Sequence, residues 1–98
     1  MTHAPPLFLA AALAAILATP AHALCYADYK AKQDDPLRLM YGVIELQDPA
    51  CTRPKLAERT IQDRIAIEGW TLLNVLAIFG PEGLAERKDS AGPYFLRY

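Results

Sequence analysis

The sequence predicts an α+β domain: a small antiparallel sheet of three or four strands with one helix packed on one face, in the order (β)-β-α-β-β. Three observations predict it. Leu37–Leu46 is a largely apolar run between two Asp-Pro turn signals, as in a strand. Apolar residues then recur at helical spacing from Pro54 to about Glu68, and an almost wholly apolar run follows at Thr71–Phe79.

The N-terminal segment has the features of a targeting signal. The chain has 98 residues, and its first charged side chain is that of Asp28. Leu7–Ala18 is an apolar run that suits the core of a signal peptide and is shorter than the roughly 20 residues that span a bilayer. We therefore expect a signal peptide at residues 1–23, which meets the membrane only transiently, and a single α+β domain at residues 24–98.

The predicted cleavage site lies between Ala23 and Leu24. Ala21 and Ala23 supply the small side chains that a signal peptidase requires. The alternatives are an uncleaved amphiphilic helix, a buried core helix, or a lipoprotein modified at Cys25. A lipoprotein needs a small residue before the modified cysteine, and Leu24 stands there. Cleavage after Ala23 is therefore the expectation, and the protein is expected to be periplasmic or secreted.

Export sets the chemistry of the two cysteines. In an oxidising compartment an even number of cysteines in a short domain predicts disulfide bonding, and two cysteines allow only the pair Cys25–Cys51. A redox-active pair is the alternative, but such pairs usually have C-x-x-C spacing. We therefore expect a structural disulfide.

The sequence predicts a hairpin in the first half of the domain. Cys25–Lys32 is predicted to be a short strand, with a fraying helix as the alternative, and Asp34-Asp35-Pro36 is a turn signal. In the strand Leu37–Leu46, one face is expected to carry Leu37, Leu39, Tyr41 and Val43, and the other Arg38, Met40, Ile44 and Leu46. Gly42 within this strand indicates a bulge or a close backbone approach.

The helix has clear end signals. Thr52 is expected to cap it, and Pro54 lies in the first turn, where a missing N–H costs little. Gly69 is expected to end it in the left-handed conformation, which makes Trp70 a buried anchor next to the helix. The apolar half of the helix is expected to contain Leu56, Ala57, Thr60, Ile61, Ile65 and Ile67.

The C-terminal part is expected to complete the sheet. Thr71–Phe79 is predicted to be the central strand, because it is apolar on both faces. One face is expected to carry Leu73, Val75, Ala77 and Phe79, and the other Leu72, Leu76 and Ile78. Residues 80–93 form a long connection, with one helical turn at Leu84–Lys88, and Tyr94–Tyr98 is predicted to be a last short strand.

The junction Glu68-Gly69-Trp70 with its following run (EGWTLLNV) and the closing segment YFLRY resemble a family of small bacterial β-α-β-β domains of unknown function. That family has a similar helix-Gly-Trp-strand junction (EGWELVSV-like) and ends in a short strand of the YVLKR kind. The resemblance covers about residues 37–98 and implies the fold, but no activity. The signal peptide, the cysteine pair and the long 80–93 connection depart from the plain form of the family.

The domain offers little catalytic chemistry. Both histidines, His3 and His22, lie in the predicted signal peptide, and Ser90 is the only serine. The acidic residues of the turn and the 80–93 connection lack a recognised calcium-ligand spacing, so we expect solvated charges there. Trp70 could form a ligand platform, although its place after the helix predicts a core residue. The sequence therefore predicts no enzyme, no cofactor and no catalytic or metal-binding residue.

The predicted partner is a protein. A net charge of −1 with scattered basic residues disfavours nucleic acid. One helix covers only one face of the sheet, so the apolar second face needs the 80–93 segment, a second copy or another partner. The leading hypothesis is an exported, non-enzymatic interaction or structural module, self-associating as a homodimer through the sheet or binding an unknown protein. The alternative is a small-ligand-binding periplasmic domain with a pocket under the 80–93 loop.

Overall fold

Three antiparallel strands form one sheet in the computed structural model, which describes residues 24–98. Strand β1 is Leu24–Gln33, β2 is Arg38–Gln47 and β3 is Thr71–Phe79. Their order in the sheet is β2-β1-β3, so β1 is the central strand. The predicted signal peptide and Ala23 of the predicted cleavage site lie outside the described residues, and Leu24 begins β1.

Helix α1, Pro54–Ile65, packs on one face of this sheet, which we call the helix face. A second, short helix, α2, spans Ala85–Ala91. The predicted fold class, α+β with one helix on one face of a small antiparallel sheet, is confirmed. Among residues 24–98, no helix is long and apolar enough to cross a membrane.

The hairpin of β1 and β2 forms as predicted. The pairing runs without interruption from Leu24 opposite Gln47 to Gln33 opposite Arg38, around the predicted turn. Because cross-strand partners share a face, the strands contribute a common set of buried residues to the helix face. These are Cys25, Ala27, Tyr29 and Ala31 from β1, and Met40, Ile44 and Leu46 from β2.

The prediction that Thr71–Phe79 is the central strand is wrong, because β3 lies at the edge of the sheet. Its predicted faces are also wrong, since two bulges interrupt its pairing with β1. The bulges place every third residue of β3, namely Leu72, Val75 and Ile78, against the core on the helix face. A strand period of two therefore predicts the wrong core-facing residues for β3.

The start of α1 differs from its prediction in one respect. Pro54 is the first helical residue, as expected, but the N-cap is Arg53 and no side chain caps it. Thr52 lies in a 3₁₀ turn, Ala50–Thr52, where its hydroxyl contacts the Pro49 carbonyl at 3.4 Å. The predicted Thr52 cap is therefore wrong.

The end of α1 forms the predicted glycine motif. Gly69 is left-handed, with φ of 84°. Its N–H donates to the Ala66 carbonyl at 2.9 Å, and the Trp70 N–H donates to the Ile65 carbonyl at 3.2 Å. These are the two hydrogen bonds of a Schellman motif. The last turn, Ala66–Glu68, is 3₁₀, and the tighter winding leaves Ile67 85% exposed instead of buried as predicted.

The C-terminal segment is not the predicted strand. A 3₁₀ turn covers Gly92–Tyr94, and only Phe95 forms a single parallel bridge, to Val43. Pro93 lies in the first positions of this turn, where its missing N–H costs little. The rings of Tyr94 and Tyr98 pack against the core.

The disulfide Cys25–Cys51 is present, with a Cα–Cα distance of 5.8 Å. It joins the start of the central strand to the 3₁₀ turn that precedes α1. Its Cα separation lies within the usual range for disulfides, so the predicted pairing is confirmed. Among the described residues neither cysteine is free.

Candidate interaction surface

The face of the sheet that lies opposite α1, which we call the open face, is partly covered by the chain itself. Helix α2 packs against β2, and both Val43 beneath it and Ala91 of α2 are buried. The 80–93 segment, one of the three covers predicted for this face, therefore does cover it. It protects only part of this face.

Arg87 fastens this segment to the sheet. Its Nε donates to Asp28 Oδ2 at 3.0 Å, and its Nη1 donates to the Gly83 carbonyl at 2.8 Å. Its guanidinium also lies 3.9 Å from the centroid of the Phe79 ring. The hydrogen bond to the Asp28 carboxylate raises the pKa of Arg87. One arginine thus joins α2 to both β1 and β3.

Asp28 is the buried acid of this contact. Its Oδ2 also accepts a hydrogen bond from the Tyr41 hydroxyl at 2.9 Å. Burial, and then that hydrogen bond, raise the pKa of Tyr41. Asp28 Oδ1 has no hydrogen-bond partner among the described residues. Arg87 neutralises the carboxylate that the fold removes from water.

The remainder of the open face is exposed and apolar. Leu39 is 72% exposed, and Leu37, in the preceding turn, is also exposed. A shallow groove of about 220 Å³ crosses this part and is lined by Lys30, Ala31, Leu39, Met40, Tyr41 and Leu73. Leucines on three neighbouring structural segments therefore remain in contact with solvent, as at many interaction sites.

Strand β3 presents two leucines at the edge of the sheet, namely Leu73, which also lines that groove, and Leu76. The register places Ala77 opposite Asp28 and Val75 opposite Tyr29, which leaves Leu76 between them without a partner on β1. Leu73 is the extra residue of the second bulge in the same way. Leu73 is 50% exposed and Leu76 is 45% exposed. The bulges thus take two large apolar side chains out of the regular pairing.

A larger groove, of about 450 Å³, runs between β3 and α1. The strand contributes Leu72–Val75, and the helix contributes Glu58, Arg59, Gln62 and Asp63. Gln62 closes one end of the free edge: its Oε1 accepts from the Leu72 N–H at 2.8 Å, and its Nε2 donates to the Trp70 carbonyl at 3.1 Å. The Gln62 side chain thus makes the hydrogen bonds that a neighbouring strand would otherwise make at this end of β3.

The opposite edge of the sheet, along β2, is partly occupied. Phe95 bridges Val43, and the Leu96 N–H donates to the Val43 carbonyl at 2.8 Å. The C-terminal segment therefore lies along the middle of β2. On its outer side, away from β1, strand β3 has no backbone neighbour among residues 24–98.

Trp70 lies in an aromatic and cationic cluster rather than on a binding platform. It is 4% exposed and meets the Tyr94 ring edge to face, with centroids 5.6 Å apart. The Arg38 guanidinium lies 5.6 Å from its ring centroid. The structure therefore places Trp70 in the core, next to the left-handed Gly69.

Glu68 ties the C-terminus to this cluster. Its carboxylate accepts hydrogen bonds from Arg97 Nε at 3.1 Å and from the Tyr98 hydroxyl. These two hydrogen bonds lower the pKa of Glu68, with that from Arg97 the larger cause. The contact lies at the surface, so it positions the last residues rather than supplying much stability.

Sequence reasoning located the disulfide and the helix-end residues, but it missed the exposed surface. A run of apolar residues in a strand usually indicates burial on both faces, so the sequence predicts Leu73 and Leu76 in the interior. The Asp28–Arg87 ion pair was also missed, since 59 positions separate the two residues. The only signal for it was an acid in an otherwise half-buried strand.

No family model matches the chain, and no curated protein or solved structure matches it either. Within residues 24–98, no group of three or more histidine, cysteine, aspartate or glutamate side chains is placed to hold a metal ion.

Proposed function

We propose that the chain is an exported, non-enzymatic interaction module that self-associates through its sheet. The observation that carries this proposal is the set of exposed leucines on the sheet, above all Leu73 and Leu76 on the edge strand. Contiguous exposed apolar surface on a small domain is typical of a protein–protein contact. The resemblance to the small β-α-β-β bacterial domains is part of the same proposal and adds no activity.

Export to the periplasm or beyond is supported by the disulfide Cys25–Cys51 and by the apolar segment before the domain. Mass spectrometry of protein recovered from the periplasm tests it. The expected first residue is Leu24. A chain that still begins at Met1, or that carries a lipid on Cys25, would contradict the proposed processing.

A non-enzymatic role is supported by the side chains that the domain offers. Both histidines precede residue 24, and the two cysteines are joined to each other. Ser90 therefore has no histidine in the domain to activate it. The buried carboxylate of Asp28 is paired with the half-buried Arg87, and this ion pair fastens α2 to the sheet.

Light scattering coupled to size exclusion tests the self-association directly. The exported protein is expected to run as a dimer that dissociates on dilution. Replacing both edge leucines, Leu73→Asp with Leu76→Asp, should give a monomer, because two buried carboxylates would oppose the contact. Ile67→Asp is the matched control, since Ile67 is 85% exposed in the 3₁₀ turn after α1, outside the sheet, and its replacement should leave the dimer intact.

Two outcomes contradict this proposal. A wild-type protein that is monomeric at every concentration would remove self-association and favour the alternative, a ligand-binding domain with its pocket under residues 80–93. Loss of the dimer in the Ile67→Asp control, with the leucine variant still dimeric, would place the contact away from the sheet.

A further inference from the structure

We infer that two copies join edge to edge along β3, as antiparallel strands centred on Leu76, so that two three-stranded sheets become one continuous sheet. This inference rests on the proposed function and specifies the surface and the register of the contact. The occupant of the edge is therefore a second copy of this chain.

The first argument is the availability of the edge. The C-terminal segment lies along β2 at Val43, whereas β3 ends the sheet with no strand beside it among the described residues. A strand at a free edge presents unpaired N–H and C=O groups to any extended segment that approaches. The strand Thr71–Phe79 is nine residues long, which is ample for pairing.

The second argument is the composition of this strand. Thr71–Phe79 contains no charged residue and no proline. Natural proteins usually protect an edge strand with lysine, proline or a covering segment, because an uncharged apolar edge invites association. Antiparallel self-pairing of β3 brings no like charges together in any register. The two bulges are the protection it does have, and they leave Leu73 and Leu76 exposed.

The third argument sets the register. Gln62 already occupies the Trp70 carbonyl and the Leu72 N–H, so the free part of the edge is Leu73–Phe79. Leu76 lies at its centre. A two-fold axis there pairs Leu76 with its own copy and Leu73 with Phe79, and this self-complementary arrangement closes the assembly at two copies.

The fourth argument is the space beside the strand. A two-fold axis perpendicular to the sheet leaves both α1 helices on the same face, next to the joined edges. The groove between α1 and β3, about 450 Å³, then gives room for side chains of the added strand. The helical side of the groove carries Glu58, Arg59 and Asp63. In the dimer, Arg59 of each copy can therefore face an acidic side chain of the other copy.

Cysteine cross-linking tests the register, because only the residue on a two-fold axis meets its own copy. Leu76→Cys is introduced into the full chain, exported, and oxidised at a concentration at which the wild type is dimeric. A covalent dimer is expected on a non-reducing gel. Peptide mapping confirms that Cys25–Cys51 remains the internal disulfide. Leu39→Cys, on the open face, is the matched control and should give no covalent dimer on the same gel.

A second variant keeps the test decisive if the new cysteine disturbs folding. Leu76→Lys changes an exposed side chain only, and it should convert the dimer to a monomer in light scattering with unchanged circular dichroism. Cross-linking through Leu39→Cys but not Leu76→Cys would overturn the edge-to-edge contact and leave self-association through the open face standing. A monomeric wild type would refute both the contact and the proposed function.

Discussion

The phenol ring of Tyr29 lies across the backbone of Gly42, so closely that a Cβ at position 42 would be 2.6 Å from Tyr29 Cζ. The two residues are partners in the register of β1 and β2. Of the two features predicted at Gly42, a bulge or a close backbone approach, the structure therefore shows the close approach, made by the Tyr29 ring. The ring fills the space of the missing side chain and is itself completely buried.

Gly42→Ala should destabilise the domain by about 1–3 kcal/mol, because the methyl group would force the buried ring out of place. Urea unfolding followed by fluorescence measures the change. Gly80→Ala is the control: its Cβ would meet only the flexible end of the Glu82 side chain, and its φ of −86° suits any residue. Equal losses in the two variants would contradict the account of Gly42.

Tyr29→Phe should stabilise the domain by about 1 kcal/mol. The hydroxyl of Tyr29 is buried and has no hydrogen-bond partner among the described residues, so its removal relieves a desolvation cost. Thermal or urea unfolding of the two proteins measures the difference. A destabilised Tyr29→Phe protein would show that the hydroxyl makes an interaction which the described residues do not supply.

The same hydroxyl predicts a loss of stability in alkali. Burial, with contributions from Tyr98 and Tyr94, raises the pKa of Tyr29 above its ordinary value of 10.0. Since the folded state holds the proton more tightly than the unfolded state, stability is complete below pH 10 and falls as the pH rises through the folded pKa. Tyr29→Phe should reduce this fall. An unchanged alkaline slope would contradict the assignment to Tyr29.

Trp70→Ala should cost about 3–5 kcal/mol, as truncation of a large buried aromatic side chain does. Gly69→Ala should cost on the order of 1 kcal/mol, since alanine is strained at the φ of 84° found there. Chemical unfolding of both variants measures the two losses. If Trp70→Ala unfolds like the wild type, Trp70 is not an anchor of the core.

Removal of the disulfide, by Cys25→Ala with Cys51→Ala, should cost about 3.5 kcal/mol. The bond closes a loop across a separation of 26 positions, and its loss restores that freedom to the unfolded chain. The double variant is compared with the oxidised wild type in urea. A change well below 1 kcal/mol would show that the bond contributes little.

Local signals predicted the parts of the fold that depend on neighbours in sequence. The shared face of Met40, Ile44 and Leu46 follows from the strand period of two, and the helix end follows from Gly69. These features need no knowledge of distant residues, because a strand period and a left-handed glycine act within a few positions.

The order of the strands could not be predicted in the same way. The most apolar strand, β3, lies at the edge, while the central β1 contains Asp28 and Lys30. Small residues of β1, Ala27 and Ala31, are completely buried on the helix face, and hydrophobicity alone gives them little weight. Because of its two bulges, every third residue of β3 faces the core instead of every second. No residue of Thr71–Phe79 indicates a bulge from the sequence.

Amide hydrogen exchange along β3 tests the central claim, self-association through the sheet at this edge, most directly. In a monomer, the N–H groups of β3 that do not pair with β1 face solvent and exchange rapidly, whereas a second strand at this edge protects them as well. We predict protection of the amides over Leu73–Phe79 at high protein concentration, and loss on dilution of the protection at those amides that do not pair with β1. Protection confined at every concentration to the amides that pair with β1, in a protein that remains monomeric, would contradict the claim.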